Sequence, residues 1–150
     1  MSIPFLLYTS NMGNNLKKIS HSSEFMVRDY ECDMQSVVNN SVYQNYLEHA
    51  RHLLLKNTGL DFSELSDQGF LLTVIRVELD YKSPLVSGDN FRIDTTMERV
   101  SPLRFLFDQS IVRIPDEKLV LKGKVYGTSI NKRRRPELPE ILEDLFRESS

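Results

Sequence analysis

The segment from Asn40 to Lys56 constrains the fold of this 150-residue chain more than any other. Its apolar residues recur at steps of three and four positions, which predicts one long helix with a single wide buried face. Asn39 or Asn40 can cap the start of this helix, and Gly59 follows its end. Because such a face is unstable against water, a second layer of structure must cover it. The apolar positions of this face are Val42, Tyr43, Tyr46, Leu47, Ala50, Leu53 and Leu54.

Strand-like patterns on both sides of the helix supply that layer. One precedes the helix at Glu24–Glu31, and a short closing helix is indicated at Pro139–Arg147. The order predicts an α+β protein with the hot-dog fold, in which an antiparallel five-stranded sheet is wrapped around one long central helix. The four later strands are predicted, with turn residues between them, at Phe70–Tyr81, Phe91–Val100, Leu103–Ile114 and Leu119–Ile130.

Length and composition favour a single globular domain. We expect residues 1–23 to be a poorly ordered tail and residues 24–150 to form the domain. The net charge of −2 does not favour nucleic-acid binding. No apolar run approaches the roughly 18 residues of a membrane span. Cys32 is the only cysteine, which favours a reducing compartment such as the cytoplasm. Because residues 1–23 contain no acid, a plastid location is the alternative.

Asp33 places a carboxylate in the loop between the first predicted strand and the long helix. The first backbone N–H groups of a helix lack partners within it and carry partial positive charge. An acid beside such donors can attack a carbonyl, or activate water towards it, while the donors stabilise the carbonyl oxygen. The loop therefore predicts a hydrolase that acts on a carbonyl group. Glu31 lies two residues earlier in the predicted strand, and we expect it to support the loop.

Several motifs carry a resemblance to a known family. Val27–Asp33 ends in an acid–x–acid pattern, Val37–Asn40 follows it, and Glu48–Arg51 reads Glu-His-Ala-Arg. Tyr81–Asp89 and Ile130–Pro136 continue the match in the family's order and spacing. With these motifs the chain resembles the hot-dog thioesterases of the 4-hydroxybenzoyl-CoA thioesterase type. Within that type it looks most like the acyl-acyl carrier protein thioesterases of plants and their bacterial relatives.

The resemblance implies a definite chemistry, the hydrolysis of an acyl thioester to a fatty or β-keto fatty acid and a thiol. Asp33 occupies the position of the family's catalytic carboxylate, which acts either as a nucleophile forming a mixed anhydride or as a base that deprotonates water. The backbone N–H of Asn40, with Asn39 and Ser41 as its neighbours, occupies the position of the oxyanion donor. Ser36 departs from the family, which usually has glycine there, so a positive φ at this position would carry a cost.

The resemblance also implies the partners of the protein. The substrate would be acyl-CoA or an acyl carrier protein, so coenzyme A or phosphopantetheine enters as part of the substrate, and no metal or other cofactor is implied. The family's site lies between two subunits, which predicts a homodimer or homotetramer. Two other functions stay open: a hot-dog hydratase or dehydratase, which would need a histidine paired with an acid, and a non-catalytic module that binds acyl-CoA or a carrier protein.

Further side chains are secondary candidates. Glu48 is a second catalytic candidate, because a helix carboxylate acts in another branch of hot-dog enzymes, although its spacing from Arg51 also predicts a simple ion pair. His49 and His52 are expected at a surface or interface. Candidates for substrate binding are Asn39, Tyr43 in the acyl pocket, Arg104, and the basic run Lys132, Arg133, Arg134 and Arg135. That run could bind the phosphates of coenzyme A or the acidic face of a carrier protein, or form a solvated turn.

Overall fold

The computed structural model describes residues 17–147, which form one sheet and three helices. Neighbouring strands are all antiparallel and lie in the order β1-β3-β4-β5-β2, so β1 and β2 are the two edges. None of the helices in this part of the chain is long and apolar enough to cross a membrane. The strands are β1 (Ile19–Met26), β2 (Leu71–Tyr81), β3 (Asn90–Ser101), β4 (Arg104–Ile114) and β5 (Lys118–Ile130). The helices are α1 (Asn40–Asn57), α2 (Phe62–Asp67) and α3 (Glu140–Leu145), and a 3-10 turn at Asp29–Glu31 precedes α1.

Helix α1 packs its apolar stripe against the sheet, as the spacing predicts. Leu47 belongs to one apolar cluster with the first half of β3, and Leu54 to a second with Phe105 and Phe107 of β4. Along β3 and β4 buried residues alternate with less buried ones, because one face of the sheet meets the helix. The predicted α+β arrangement of five strands around one long helix is confirmed. The buried residues of α1 are Tyr43, Tyr46, Leu47, Ala50, Leu54 and Leu55.

The first strand lies earlier in the chain than predicted. β1 covers Ile19–Met26 rather than Glu24–Glu31, so residues 19–23, predicted to be part of a tail, belong to the sheet. The reason is the register with β3, in which Ile19 pairs with Met97 and Met26 pairs with Asn90, the first residue of that strand. This pairing depends on residues far away in the sequence. Residues 1–16 of the predicted tail lie outside the described residues.

Strand β2 is an edge strand with exposed apolar side chains. Val74 lies opposite Gly127 of β5, and Val77 lies opposite Val125, which is buried against the helix side of the sheet. Val74 and Val77 stay exposed because α1 does not cover this edge. An apolar edge with unpaired backbone groups is a place where another strand can pair. The exposed large apolar residues of β2 are Leu71, Val74, Ile75, Val77 and Tyr81.

Candidate active site

Asp33 lies in a small hairpin that leads directly into α1. Cys32 pairs antiparallel with Val38 across this hairpin. The backbone N–H of Asp33 donates to the carbonyl of Val37 at 2.8 Å. These bonds tie the turn that carries Asp33 to the residues immediately before the helix. The position of the acid relative to the start of α1 is therefore set by backbone hydrogen bonds.

The carboxylate of Asp33 is exposed, and the turn uses only one of its oxygens. Its Oδ1 accepts the N–H of Gln35 at 2.8 Å, while Oδ2 has no hydrogen-bond partner among residues 17–147. The turn requires a left-handed backbone at Ser36, where φ is 67°. This is the conformation that the family's usual glycine would adopt freely and that serine adopts at a cost. The hydrogen bond from Gln35 therefore fixes the orientation of the carboxylate, and its second oxygen is accessible to a ligand.

Glu31 holds the hairpin in place through three hydrogen bonds. It is buried in the 3-10 turn, and its Oε1 accepts the hydroxyl of Tyr46 at 2.7 Å and the N–H of Arg28 at 2.8 Å. Its carbonyl accepts the N–H of Asn39 at 3.0 Å. Burial, followed by the Glu31 carboxylate, raises the pKa of Tyr46. Glu31 supports the loop as predicted, although through a 3-10 turn rather than an extended strand shared with Asp33.

The start of α1 presents one unpaired backbone donor. The side chain of Asn39 caps the helix by accepting the N–H of Ser41 at 3.1 Å, and the N–H of Val42 donates to the Asn39 carbonyl at 2.9 Å. Between them, the N–H of Asn40 has no partner within residues 17–147. The helix dipole concentrates partial positive charge at this end. A backbone donor in this place is the kind of group that can stabilise an oxyanion.

Tyr43, predicted to line the core and the acyl pocket, is a core residue. Its hydroxyl accepts the N–H of Leu85 at 3.1 Å, and burial raises its pKa. Its ring packs edge-on against Tyr46 and Tyr81. It does not line the cavity described below, because that cavity follows the second half of α1 whereas Tyr43 lies in the first turns. The exposed Tyr81 instead approaches the helix start, where its hydroxyl lies 3.5 Å from the Asn40 carbonyl.

A cavity of about 290 Å³ opens between the second half of α1, helix α2 and strand β2. An apolar floor below a partly polar rim suits a ligand with an apolar tail. The buried side chains of the floor are Leu55, Leu65, Phe105, Phe107 and Val125. The exposed rim is formed by Glu48, His52, Phe62, Ser66, Leu71 and Val74.

Arg51 is turned into the protein rather than towards Glu48. No ion pair joins these two residues in the described part of the chain, so that prediction was wrong. Arg51 Nη1 donates to Gln109 Oε1 at 3.1 Å, and burial lowers the pKa of the guanidinium. The buried amide of Gln109 donates in turn to the Leu47 carbonyl and to Thr95 Oγ1. The alternation along β4 could have revealed Gln109, since it occupies an inward position of that strand.

The two histidines are exposed on α1. The ring of His49 lies 5.4 Å from that of Phe25, and His52 stands on the rim of the cavity near Glu48. Within residues 17–147 no three His, Cys, Asp or Glu side chains are close enough to hold a metal ion. Neither histidine belongs to the hairpin that carries Asp33.

The basic run forms an exposed turn after β5. The side chain of Asn131 organises it by accepting the N–H groups of Arg133 and Arg135 at 2.9 and 3.1 Å. The stem of Lys132 packs over Gly69, just before the residues of β2 that line the cavity. None of the side chains from Lys132 to Arg135 forms an ion pair within the described residues, so their charges face solvent.

These basic residues lie at the opposite end of the sheet from Asp33. Strand β5 ends where Ile130 pairs with Leu71, the first residue of β2, and Arg104 begins β4 at this same end. The last residue of β2, Tyr81, contacts the start of α1. Within one chain, the length of β2 therefore separates the basic run from the hairpin of Asp33.

Comparisons with known proteins show which family the chain belongs to. A family model described as the thioesterase-like superfamily matches residues 27–146. A chloroplast acyl-acyl carrier protein thioesterase of Arabidopsis thaliana is 34% identical over 127 residues, which cover 84% of this chain and 67% of that protein. A long-chain acyl-CoA thioesterase of Escherichia coli is 25% identical, with 83% of this chain and 98% of that protein covered.

Solved structures show the same fold. A 1,4-dihydroxy-2-naphthoyl-CoA thioesterase from Synechocystis superposes with a TM-score of 0.77 at 20% identity, covering 83% of this chain and 93% of that one. A probable thioesterase from Escherichia coli superposes with a TM-score of 0.73 at 25% identity, covering 83% and 95%. The chain therefore belongs to the thioesterase-like superfamily, has its hot-dog fold, and is an acyl thioester hydrolase at the level of that family.

Proposed function

We propose that this protein hydrolyses an acyl thioester of coenzyme A or of acyl carrier protein to a fatty or β-keto fatty acid and a free thiol, with Asp33 as the catalytic carboxylate. One observation carries the proposal. The Asn40 N–H has no partner among residues 17–147 and lies at the start of an 18-residue helix, and Asp33 is held in the hairpin just before this donor. A carbonyl oxygen on that N–H would develop its negative charge where the helix dipole stabilises it.

The free oxygen of Asp33 supports two courses for the reaction. As a nucleophile it would bond to the carbonyl carbon, the carbon–sulfur bond would break, and the thiolate would leave; water would then open the mixed anhydride and restore the carboxylate. As a base it would take a proton from water, the hydroxide would add to the carbonyl, and the proton would pass to the departing sulfur. The bond from Gln35 to the other oxygen orients the carboxylate in either course.

A second copy of the chain would complete the site. In the part of the chain that the structure describes, β2 has one backbone edge without a partner strand, and it exposes the apolar residues Val74 and Val77. Antiparallel pairing of two such edges buries these side chains and places the start of one β2 beside the end of the other. The cavity and basic run of one chain would then lie at the same end as Asp33 of the other. We therefore propose at least a homodimer as the working form.

This arrangement gives the basic run a role in substrate binding. Lys132–Arg135 and Arg104 would reach the Asp33 end only from the second chain, since in one chain they lie at opposite ends. Their unpaired charges suit the phosphates of coenzyme A or the acidic face of a carrier protein. We propose that the thiol carrier binds there while the acyl chain enters the cavity.

Glu48 remains the alternative catalytic carboxylate, because it stands on the rim of that cavity. The two acids can be separated with isosteric variants that remove only the charge. Asp33→Asn should lower turnover by about 10²-fold or more, whereas Glu48→Gln should leave it within a few-fold of wild type. The reverse result would assign the reaction to Glu48.

The test is thiol release from acyl-CoAs and acyl carrier proteins with short, medium, long and β-keto chains. Wild-type turnover that Asp33→Asn abolishes, with an unchanged unfolding transition, would support the proposal. No release by folded wild type would overturn it in favour of a binding module, and an enoyl or hydroxyacyl product would indicate a dehydratase or hydratase.

The compartment is also a proposal. Cys32 is the only cysteine, and the thiol is half-buried and free, as suits a reducing environment. We propose the cytoplasm, with the plastid as the alternative. Microscopy of the full chain fused at its carboxyl end to a fluorescent protein distinguishes the two.

A further inference from the structure

The floor of the cavity contains an aromatic ring that lies across a glycine. Phe105 of β4 is buried and pairs directly with Gly127 of β5. A Cβ atom on Gly127 would lie only 2.5 Å from Cε1 and 2.9 Å from Cζ of the Phe105 ring. The ring therefore occupies the space that any other side chain at this position of β5 would fill.

This ring is held firmly by its neighbours. It meets the ring of Phe107 edge-on, with the centroids 5.7 Å apart. Phe107 in turn lies under the guanidinium of Arg51, at 5.8 Å, and Arg51 is hydrogen-bonded to the buried Gln109. Since aromatic pairs of this geometry attract one another and buried rings are closely packed, the floor has little freedom to deepen.

The size of the cavity limits the ligand. An apolar cavity of about 150 Å³ holds one benzene molecule, which corresponds to roughly 25 Å³ per carbon atom. By this measure the cavity of about 290 Å³ corresponds to about twelve carbon atoms. Its buried floor is apolar, so the part of a substrate that gains most from entering is an unsubstituted hydrocarbon tail.

We infer that Phe105, seated over Gly127, is the floor that sets the length of the acyl chain, and that the preferred chain is of medium length, about ten to twelve carbons. This inference rests on the proposed function, because it takes the cavity as the acyl site of the hydrolase. It assigns specificity to a cross-strand pair in the middle of the sheet, remote from Asp33 in the sequence.

The test is a profile of kcat/KM against chain length for saturated acyl-CoAs, in wild type and in floor variants. Phe105→Ala should move the optimum to chains longer by about six carbons, because it frees roughly the space of one ring. Since each buried methylene is worth about fourfold, the rate on the longest chains relative to the wild-type optimum should rise by at least tenfold. Gly127→Ala should push the ring into the cavity and move the optimum to shorter chains.

A milder substitution and a matched control test the same residue without the large cavity that alanine leaves. Phe105→Leu is a milder variant, and Phe146→Leu is its matched control, since Phe146 is buried in the same apolar cluster but does not line the cavity. Phe105→Leu should shift the profile and Phe146→Leu should not. Equal profiles for wild type and folded Phe105 variants would overturn the inference.

Binding measurements distinguish a failure of the chain-length assignment from a failure of the proposed hydrolase activity. S-alkyl-CoA thioethers with eight, twelve and sixteen carbons cannot be hydrolysed, and calorimetry gives their affinities whether or not the protein is catalytic. Suppose that wild type hydrolyses nothing but binds the medium thioether most tightly, and that Phe105→Ala binds a longer one most tightly. The hydrolase proposal then fails, whereas the assignment of Phe105 as the residue that sets chain length is supported. If affinity does not depend on chain length in either protein, the floor assignment fails.

Discussion

The carboxylate of Glu31 accepts the hydroxyl of Tyr46 at 2.7 Å, and this bond joins the hairpin of Asp33 to the buried face of α1. Both groups are buried, so neither can exchange the bond for water without a cost. The Glu31 carboxylate also accepts the N–H of Arg28, and its backbone carbonyl accepts the N–H of Asn39, so this one residue supports the geometry of the hairpin.

Removing the hydroxyl should therefore affect stability and activity together. We expect Tyr46→Phe to lower the free energy of unfolding by about 1.5–3 kcal/mol, since a hydrogen bond to a buried charge is lost. The rate should fall as well, because the hairpin loses an anchor. Urea denaturation measures the first effect and thiol release the second. An unchanged urea midpoint would show that the hydrogen bond between Tyr46 and Glu31 does not contribute to stability.

High pH should also loosen the core. Burial raises the pKa of both Tyr43 and Tyr46 above the ordinary value of 10.0, so the folded state keeps protons that the unfolded state gives up. The contribution of these protons to stability is fully present below pH 10 and is lost as the pH rises further. We expect the free energy of unfolding to fall above about pH 10, and the part of the tyrosinate absorbance that comes from the two buried tyrosines to appear only with unfolding. Tyr46→Phe should reduce the slope; an unchanged slope would contradict this account.

A proline at position 40 can test the oxyanion donor directly. Proline removes the backbone N–H along with the asparagine side chain, and the first position of a helix is where proline is tolerated best. The preceding residue, Asn39, already has the extended backbone that proline requires of its neighbour, with φ −63° and ψ 140°. We expect Asn40→Pro to lower kcat by about 10²–10³-fold with little change in stability.

The control for this variant is Asn40→Ala, which keeps the N–H and loses only the side chain. It should retain nearly full activity. Equal activity of the proline and alanine variants would exclude the Asn40 N–H as the donor that stabilises the transition state.

A charge on the edge strand should separate the subunits. Val77 is 40% exposed on β2, and Val100, at 42%, is a residue of similar exposure on β3. We expect Val77→Lys to disrupt pairing of β2 edges and to give a monomer in analytical ultracentrifugation. Activity should fall with it if the site needs a second chain, whereas Val100→Lys should change neither property. A fully active monomer would refute the shared site.

Local patterns were enough to predict the elements that carry the site. The spacing from Val42 to Leu54 predicted α1, because burial of one helix face is a property of a short segment. The acid before the helix start, together with the charge of that start, led to the prediction of Asp33 as the catalytic residue, and this stays a prediction. Ser36 shows the limit of this reasoning. Its left-handed φ of 67° could be anticipated from the family's usual glycine, but the hairpin that demands it could not.

The tertiary structure decided everything that depends on contacts between distant segments. β1 begins at Ile19 because β3 offers partners for that stretch, and Arg51 faces Gln109 rather than Glu48 because a strand remote in the sequence supplies a buried acceptor. The same pairing order places the basic run at the far end of β2 and sets Phe105 over Gly127. The sequence by itself determined which segments are helix or strand and which carboxylate precedes the long helix. Strand order and register depend on the free energy of pairing between distant segments, and they decided which side chains lie close together.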